Sequence, residues 1–322
     1  MNIKVCTLFE GRYHYGVAVL TNSLYKWGFR GEIHVGYRGN LPNWTSSREE
    51  NKSIDWGGVS TFEVLDGLTL NFLPLETDIS LTNYKPNFMM DLLENETTTA
   101  DGLLYFDPDI VNVTPINFFA EWIEYGIAMA ADVNSPISRN HPRRMKWVEF
   151  YSKCSIDLNY ESDIYVNGGF IGVAKKDIVF LNLWKKSQDL MANEIGGLHK
   201  SIFSEKPKVV YGGDFDAFSK TDQDALNVAI GIYDGKTCIV DRDAMGFFPG
   251  LVMFPHALGR QKPWDVKPLL FWLKGLKPRR VDKLFWEYAE GPIKPYNKFM
   301  VYQKQILIKI WSVLSRFYSK PL

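Results

Sequence analysis

The sequence predicts an α/β fold: a doubly wound, mainly parallel sheet flanked by helices, with a basic helical extension at the C-terminus. Three observations carry this reading. The chain opens strand, loop, helix, strand over residues 3–8, 16–27 and 32–37, which is how a doubly wound sheet begins. Two apolar runs, residues 103–106 and 126–131, end abruptly in carboxylates, at Asp107-Pro108-Asp109 and at Asp132. In an open α/β sheet the carboxyl ends of the strands are where ligands bind. Charge then shifts near residue 267: twelve Lys/Arg face three Asp/Glu from there on, so that part carries about +9 and the preceding part about −9, although the whole chain sums to zero.

Composition sets the bounds. The chain has 322 residues, 46% of them hydrophobic and 23% charged, an ordinary globular mixture long enough for a large core. A neutral total gives no reason to expect nucleic acid. Cys6, Cys154 and Cys238 are too far apart for a zinc spacing or a disulfide framework, which suits a reducing cytosol. The first residues read as a strand and not as a leader. No apolar run of about 18 residues occurs, so no spanning helix is expected.

The elements follow in order. Residues 3–8 are the first strand and residues 10–15 a polar turn. Residues 16–27 are a helix with Val17, Leu20 and Leu24 on one face and Gly28 beyond its end. The turn lacks G-x-G-x-x-G, which weakens a dinucleotide reading. Residues 38–58 are a polar loop. Residues 61–65 and 69–73 are short strands around the turn Asp66-Gly67. Residues 84–93 are helical, with Pro86 tolerated in the first turn. The run ending at Asp107 is a strand whose ladder Pro108 stops. Residues 115–124 are a helix, and residues 126–131 a strand lying beside the first carboxylate-ended one. Residues 134–146 are a loop made basic by Arg139, His141, Arg143 and Arg144, read equally as a solvated surface or as a phosphate or acceptor contact. Asn167-Gly168-Gly169 interrupts a strand over residues 165–173, a sign of close backbone approach or a bulge. Residues 176–191 are a helix and residues 192–219 are loop-rich. Residues 221–231 are a short helix with a Thr-x-x-Asp cap pattern. Residues 236–240 and 251–254 are strand candidates, the second running into His256-Ala257-Leu258-Gly259-Arg260-Gln261-Lys262-Pro263-Trp264. Residues 298–318 suit an amphipathic helix with Gln305, Lys309, Ser312 and Arg316 on one side and Leu307, Ile310, Trp311, Leu314 and Phe317 on the other.

Asp107 and Asp109 repel each other, and a divalent cation is the usual remedy. Taken alone, Asp-Pro-Asp is equally good turn chemistry. Taken with Asn167-Gly168-Gly169, Asp222-Gln223-Asp224-Ala225-Leu226-Asn227 and the segment from His256 to Trp264, in this order, it resembles the retaining glycosyltransferases of family 8, the glycogenin and lipopolysaccharide galactosyl- and glucosyltransferase type. The resemblance covers about residues 1–265. It implies a GT-A fold over residues 1–266 that binds a nucleotide-sugar, with residues 267–322 as an extension. It also implies Asp107, Asp109 and His256 as metal ligands. Oxygen ligands with one imidazole suit Mn²⁺ better than Mg²⁺, the second choice. Lys262, with Gly259 in its turn, resembles the diphosphate contact, and Lys85 is a second cation for that role. Gly168 and Gly169 let the donor approach. Asn167, Asp222 and Gln223 resemble the residues around the donor sugar, with Gln223 beside the anomeric carbon, and Asp132 resembles an aspartate near donor or acceptor. Carboxylates such as Asp222 and Asp224 also suit a helix N-terminus with no further role.

The family's Asp/Asn-rich loop after the first strand is replaced here by residues 7–13, where Thr7, Glu10 and Tyr13 take its place, the tyrosine stacking on a base. The expected donor is a UDP-hexose, transferred with retention to a glycan or lipid-linked glycan. Two rival readings are a sugar-phosphate nucleotidyltransferase, which usually carries a Gly-rich basic loop absent here, and a non-catalytic membrane-associated glycan-binding protein. A glycoside hydrolase would need neither metal nor diphosphate lysine. The basic aromatic C-terminus reads as a helix packed on the body, as an anionic-membrane contact, or as an oligomer interface. The expected location is cytoplasmic, peripheral on the inner face of the plasma membrane.

Overall fold

The computed structural model describes residues 1–95, 99–202 and 216–318. Part of the loop-rich stretch read at residues 192–219 and the last four residues of the chain lie outside them. Among the described residues nine strands form one sheet: β1 (Ile3–Glu10), β2 (Gly31–Arg38), β3 (Glu49–Glu50), β4 (Ser60–Leu65), β5 (Leu68–Pro74), β6 (Gly102–Phe106), β7 (Ile127–Ala131), β8 (Val166–Ala174) and β9 (Thr237–Val240). Their order is β3-β4-β5-β2-β1-β6-β8-β7-β9. The stretch β5-β2-β1-β6 is parallel, as the opening of the chain predicts. β8 then runs antiparallel to both β6 and β7, and β3, β4 and β5 form antiparallel pairs at the other edge. The sheet is therefore mixed.

Strand periodicity divides the core into two layers. Cys6, Leu8, Leu103, Tyr105, Ile171 and Val173 face one side. They pack on α2 (Lys85–Glu94), α4 (Pro142–Lys153), α5 (Val179–Ile195) and α6 (Thr221–Ile232), through side chains such as Phe88, Trp147, Trp184 and Leu226. Val5, Phe9, Leu104, Phe106 and Phe170 face the other side. There they meet Val17, Leu20 and Leu24 of α1 (His14–Lys26) and Phe119, Trp122 and Ile123 of α3 (Ile116–Glu124). Each buried side chain of this size contributes about 1.5–3 kcal/mol, so both layers fix the sheet against which the site is built.

Four local expectations change. The carboxylate-ended strands β6 and β7 are not neighbours, because β8 is inserted between them. Both pair antiparallel with β8, so they share a direction and their carboxyl ends still reach the same edge. Residues 142–146 belong to α4, capped by the His141 side chain, and are not loop. Arg143 and Arg144 of that segment are buried, Arg144 donating to the carbonyls of Ser162 and Ile164 at 2.7 Å each. Residues 251–254 form no strand. They join an irregular ladder that carries a single bridge between Ile110 and His256. At α6 the predicted Thr221 cap is absent: its hydroxyl bonds Asn83, while Asp224 still reaches back to the Lys220 N–H at 2.8 Å.

Three helices close the chain: α7 (Pro268–Leu273), α8 (Arg280–Tyr288) and α9 (Lys298–Leu314). They share a core cluster with Val19, Val111 and Trp264 of the body. The Asn22 side chain pins them further, donating to the carbonyls of Tyr288 and Ile293 and accepting from the Ile293 N–H, at 2.8–2.9 Å.

Candidate functional site

The carboxyl ends of β1, β6 and β7 and the start of β8 open into one cavity of about 730 Å³, a size that takes a small-molecule ligand. Every residue assigned from the sequence to the metal, donor or sugar lines it except Thr7, whereas Arg139, His141, Arg143 and Arg144 of the basic stretch do not. Thr7 is fully buried in β1, three residues before that strand's end. A strand rises about 3.3 Å per residue, which places it roughly 10 Å below the edge.

The Asp107-Pro108-Asp109 turn is held from three sides. The Asp107 N–H donates to the Gly169 carbonyl at 2.7 Å, and the Asp109 carbonyl accepts from the Ala257 N–H at 3.1 Å. The start of α1 comes so close to Pro108 that a Cβ on Gly16 would stand 2.0 Å from the Pro108 carbonyl oxygen. Only glycine fits there. His256 is placed by its bridge to Ile110 and by the bare backbone of Gly169, where an added Cβ would lie 2.6 Å from the ring.

Asp107, Asp109 and His256 each offer a ligand atom within 4.8 Å of the others. A chain of hydrogen bonds orients the imidazole. Asn167 donates its Nδ2 to Asp132 at 2.7 Å, which turns its Oδ1 toward His256 Nδ1 at 3.1 Å. Nδ1 then donates to Asn167, and Nε2, the nitrogen left to serve as a metal ligand, lies 3.3 Å from Asp109 Oδ1 and 3.8 Å from Asp107 Oδ2. Three electron-rich groups converging this way fit a divalent cation, and the outer bonds to Asn167 and Asp132 are the support such a ligand needs.

Two buried lysines neutralise the same carboxylates. Lys85 Nζ lies 3.0 Å from Asp107 and 3.1 Å from Asp222, and donates to the Gly168 carbonyl at 2.8 Å. Burial would lower its pKa, but the two carboxylates outweigh that and raise it. Lys262 Nζ lies 2.5 Å from Asp109 and donates to the Ala257 carbonyl at 2.9 Å. Burial works to raise Asp109; Lys262 and His256 prevail and hold it well below the usual carboxylate range. Asp107 moves the other way, pushed up by burial and by Asp109 against the pull of Lys85.

Gln223 accepts from the Gly168 N–H at 3.3 Å, while its Nε2 is buried with no partner among the described residues. An unpaired buried amide N–H is costly, and this one belongs to a residue lining the cavity. Asp222 faces the cavity, whereas Asp224, two residues on, is fully buried against Tyr165 (2.6 Å) and Arg143 (3.8 Å). Asn227 clasps Val166 through both its N–H and its carbonyl, locking α6 to the start of β8. Tyr13 lines the wall with its ring edge-on to Trp264 and 5.7 Å from Lys262 Nζ. Glu10 sits exposed at the rim, paired with Arg38 at 2.8 Å.

Sequence reading missed three titratable lining residues. Tyr105 donates to Asp107 at 2.7 Å; its place two residues before an aspartate on a strand was the available signal. Lys220, 3.4 Å from Asp132, directly precedes α6. Arg260 is exposed at the mouth, inside a motif already singled out.

No protein-family model matches the sequence, and no curated protein matches it. Solved structures match in fold. The bifunctional glycosyltransferase WbbM covers 95% of this chain and 52% of its own at 15% identity, with a TM-score of 0.52. The apo form of the glycosyltransferase GlyE of Streptococcus pneumoniae covers 100% and 66% at 15% identity, TM-score 0.50. The galactosyltransferase LgtC, solved with donor and acceptor sugar analogues, covers 99% and 97% at 13% identity, TM-score 0.46. The chain spans about half to two thirds of the length of WbbM and GlyE. Identities this low speak to fold, and WbbM and GlyE carry the statement: this chain has a GT-A-like glycosyltransferase fold, with the likeness running past residue 265.

Proposed function

We propose that this protein is a metal-dependent glycosyltransferase that moves a hexose from a nucleotide-sugar, a UDP-sugar by the family resemblance, to a glycan or lipid-linked glycan with retention. One observation carries the reading: Gln223, whose buried Nε2 has no partner among the described residues, lines the same cavity as the Asp107–Asp109–His256 cluster and the two lysines beside it. A Mn²⁺ ion held by Asp107, Asp109 and His256 would supply charge stabilisation to the departing diphosphate.

The chain's own residues do the rest. Lys262 and Lys85 sit where they can shift from carboxylate to phosphate oxygens as charge develops. The Gln223 amide, whose Nε2 has no partner among the described residues, would turn toward an oxygen of the donor sugar. Its amide is a poor nucleophile, so the groups favour front-face displacement through an oxocarbenium-like ion pair over a glutaminyl intermediate. In that scheme the departing phosphate oxygen takes the acceptor hydroxyl's proton, and Asn167, Asp132 and Asp222 hold the sugar in place. The test is turnover of UDP-sugars with Mn²⁺, by transfer or by hydrolysis to water. Asp109→Ala and EDTA should each abolish it while the protein stays folded. Unchanged turnover in EDTA would sink the metal assignment.

A further inference from the structure

The C-terminal helix α9 is apolar on two faces. One face buries Val301, Ile308 and Trp311 in the core shared with the body. The other runs outward as Phe299, Tyr302, Ile306, Ile310 and Val313, continued by Phe317 in the turn after the helix, all exposed, with Phe299 at 71% and Phe317 at 85%. Their spacing of three and four residues makes one unbroken stripe along the helix. The adjoining α7 adds exposed Leu269, Leu270 and Leu273, joins α9 through the ring contact of Phe271 with Trp311, and meets the turn beyond α9 through Trp272 and Tyr318. Folding does not require these side chains to be apolar, and solvent disfavours them.

Charge on α7 and α9 themselves has one sign, and Asp265 just before α7 is paired with Arg12 at 2.5 Å. Neither α7 nor α9 contains an acidic residue, whereas Lys267, Lys274, Lys298, Lys309 and Arg316 lie exposed on or beside them. The three carboxylates of the extension, Asp282, Glu287 and Glu290, belong to α8 or the turn after it, and Asp282 is buried against Arg279 at 2.7 Å. A second copy seated on this face by twofold symmetry would set cation against cation. No described helix is long and apolar enough to cross a membrane.

We infer that α7 and α9 form a docking surface for the anionic face of a lipid bilayer, with α9 lying in the plane of the headgroups. The exposed stripe enters the acyl boundary while the flanking lysines meet lipid phosphates. The inference rests on this surface alone and is independent of the chemistry in the cavity. The test uses the full chain and flotation with vesicles of phosphatidylcholine, with and without phosphatidylglycerol. Binding to the anionic vesicles alone is expected, weakening with salt. The double variant F299S/F317S alters two of the most exposed side chains, so its melting temperature should hold while vesicle binding drops at least tenfold. K298Q/K309Q should weaken binding to anionic vesicles and flatten its salt dependence. Absence of binding to anionic vesicles at low salt would overturn the proposal, as would binding by F299S/F317S equal to that of the parent. Sedimentation velocity runs alongside. A dimer that F299S/F317S splits would assign the face to a second copy instead.

Discussion

Gly169→Ala is the sharpest test of how the sequence builds the Asp-Asp-His cluster. An added Cβ would stand 2.6 Å from Cε1 and 2.8 Å from Nδ1 of His256, and 2.9 Å from Asn167 Oδ1. The imidazole must retreat by about 0.8 Å to restore an ordinary contact. It has no free direction, because Asp109 lies 3.3 Å from its Nε2 and Asn167 holds its Nδ1 at 3.1 Å. Metal coordination tolerates displacements of only about 0.2 Å. The substitution should therefore cost about 10–100-fold in Mn²⁺ affinity, with an overpacking penalty of about 1–3 kcal/mol in stability. Gly172→Ala on the same strand is the control. Its Cβ would crowd Ile123, Leu104 and Ala128 at 2.7–3.2 Å, among apolar side chains only. It should lose comparable stability and bind Mn²⁺ as the parent does. Calorimetric Mn²⁺ titration with parallel urea melts separates the two effects. Parent-like Mn²⁺ affinity in Gly169→Ala would refute either the seating of His256 by a bare backbone or its role as a ligand.

Two further predictions concern buried charge. Lys85→Met leaves Asp107 and Asp222 without their shared cation and the Gly168 carbonyl without its donor. A loss of about 3–5 kcal/mol is expected in denaturant melts; a loss below about 1 kcal/mol would mean that the carboxylates are neutralised otherwise. Asp224, fully buried, has its pKa pushed up to about 6, chiefly by burial. The folded state then keeps a proton that the unfolded chain releases near pH 4. Stability attributable to this group falls as pH rises from about 4 to about 6, by roughly 3 kcal/mol in all, and is level above that. Asp224→Asn should flatten this part of the pH profile, and a parent-like slope would refute the assignment.

Much of the site was legible because its parts are local. A strand stopped by Asp-Pro-Asp, a Gly-Gly in a strand and a helix opening on Asp222-Gln223 each announce themselves within a few residues. What was not legible depends on long-range pairing. All nine residues of β8 are buried, so the strand carries no polar alternation to show its direction or its place between β6 and β7. Lys85 reads in sequence as a second cation for the diphosphate; only the fold brings it between two carboxylates. Asp222 and Asp224 look equivalent in sequence, yet the turn of α6 sends one to the cavity and the other to Tyr165 and Arg143. Arg143 and Arg144 look like a basic loop because nothing local shows the Ser162 and Ile164 carbonyls that take up Arg144. The outward stripe of α9 was half read: Ile310 and Phe317 were assigned to the same face as Trp311, but the helix turns Trp311 inward and leaves the other two exposed.

The most direct test of the central claim is a thermal-shift panel of nucleotides and nucleotide-sugars, each with and without Mn²⁺. A ligand that binds only the folded state raises the melting temperature by mass action, by about 2.7 kcal/mol of stability at one hundred times its Kd. The account predicts a shift with a UDP-sugar that requires Mn²⁺ and disappears in Asp109→Ala. A Mn²⁺-dependent shift with another base would keep the glycosyltransferase and discard uridine. No shift with any nucleotide-sugar, in protein that melts cooperatively, would contradict the account.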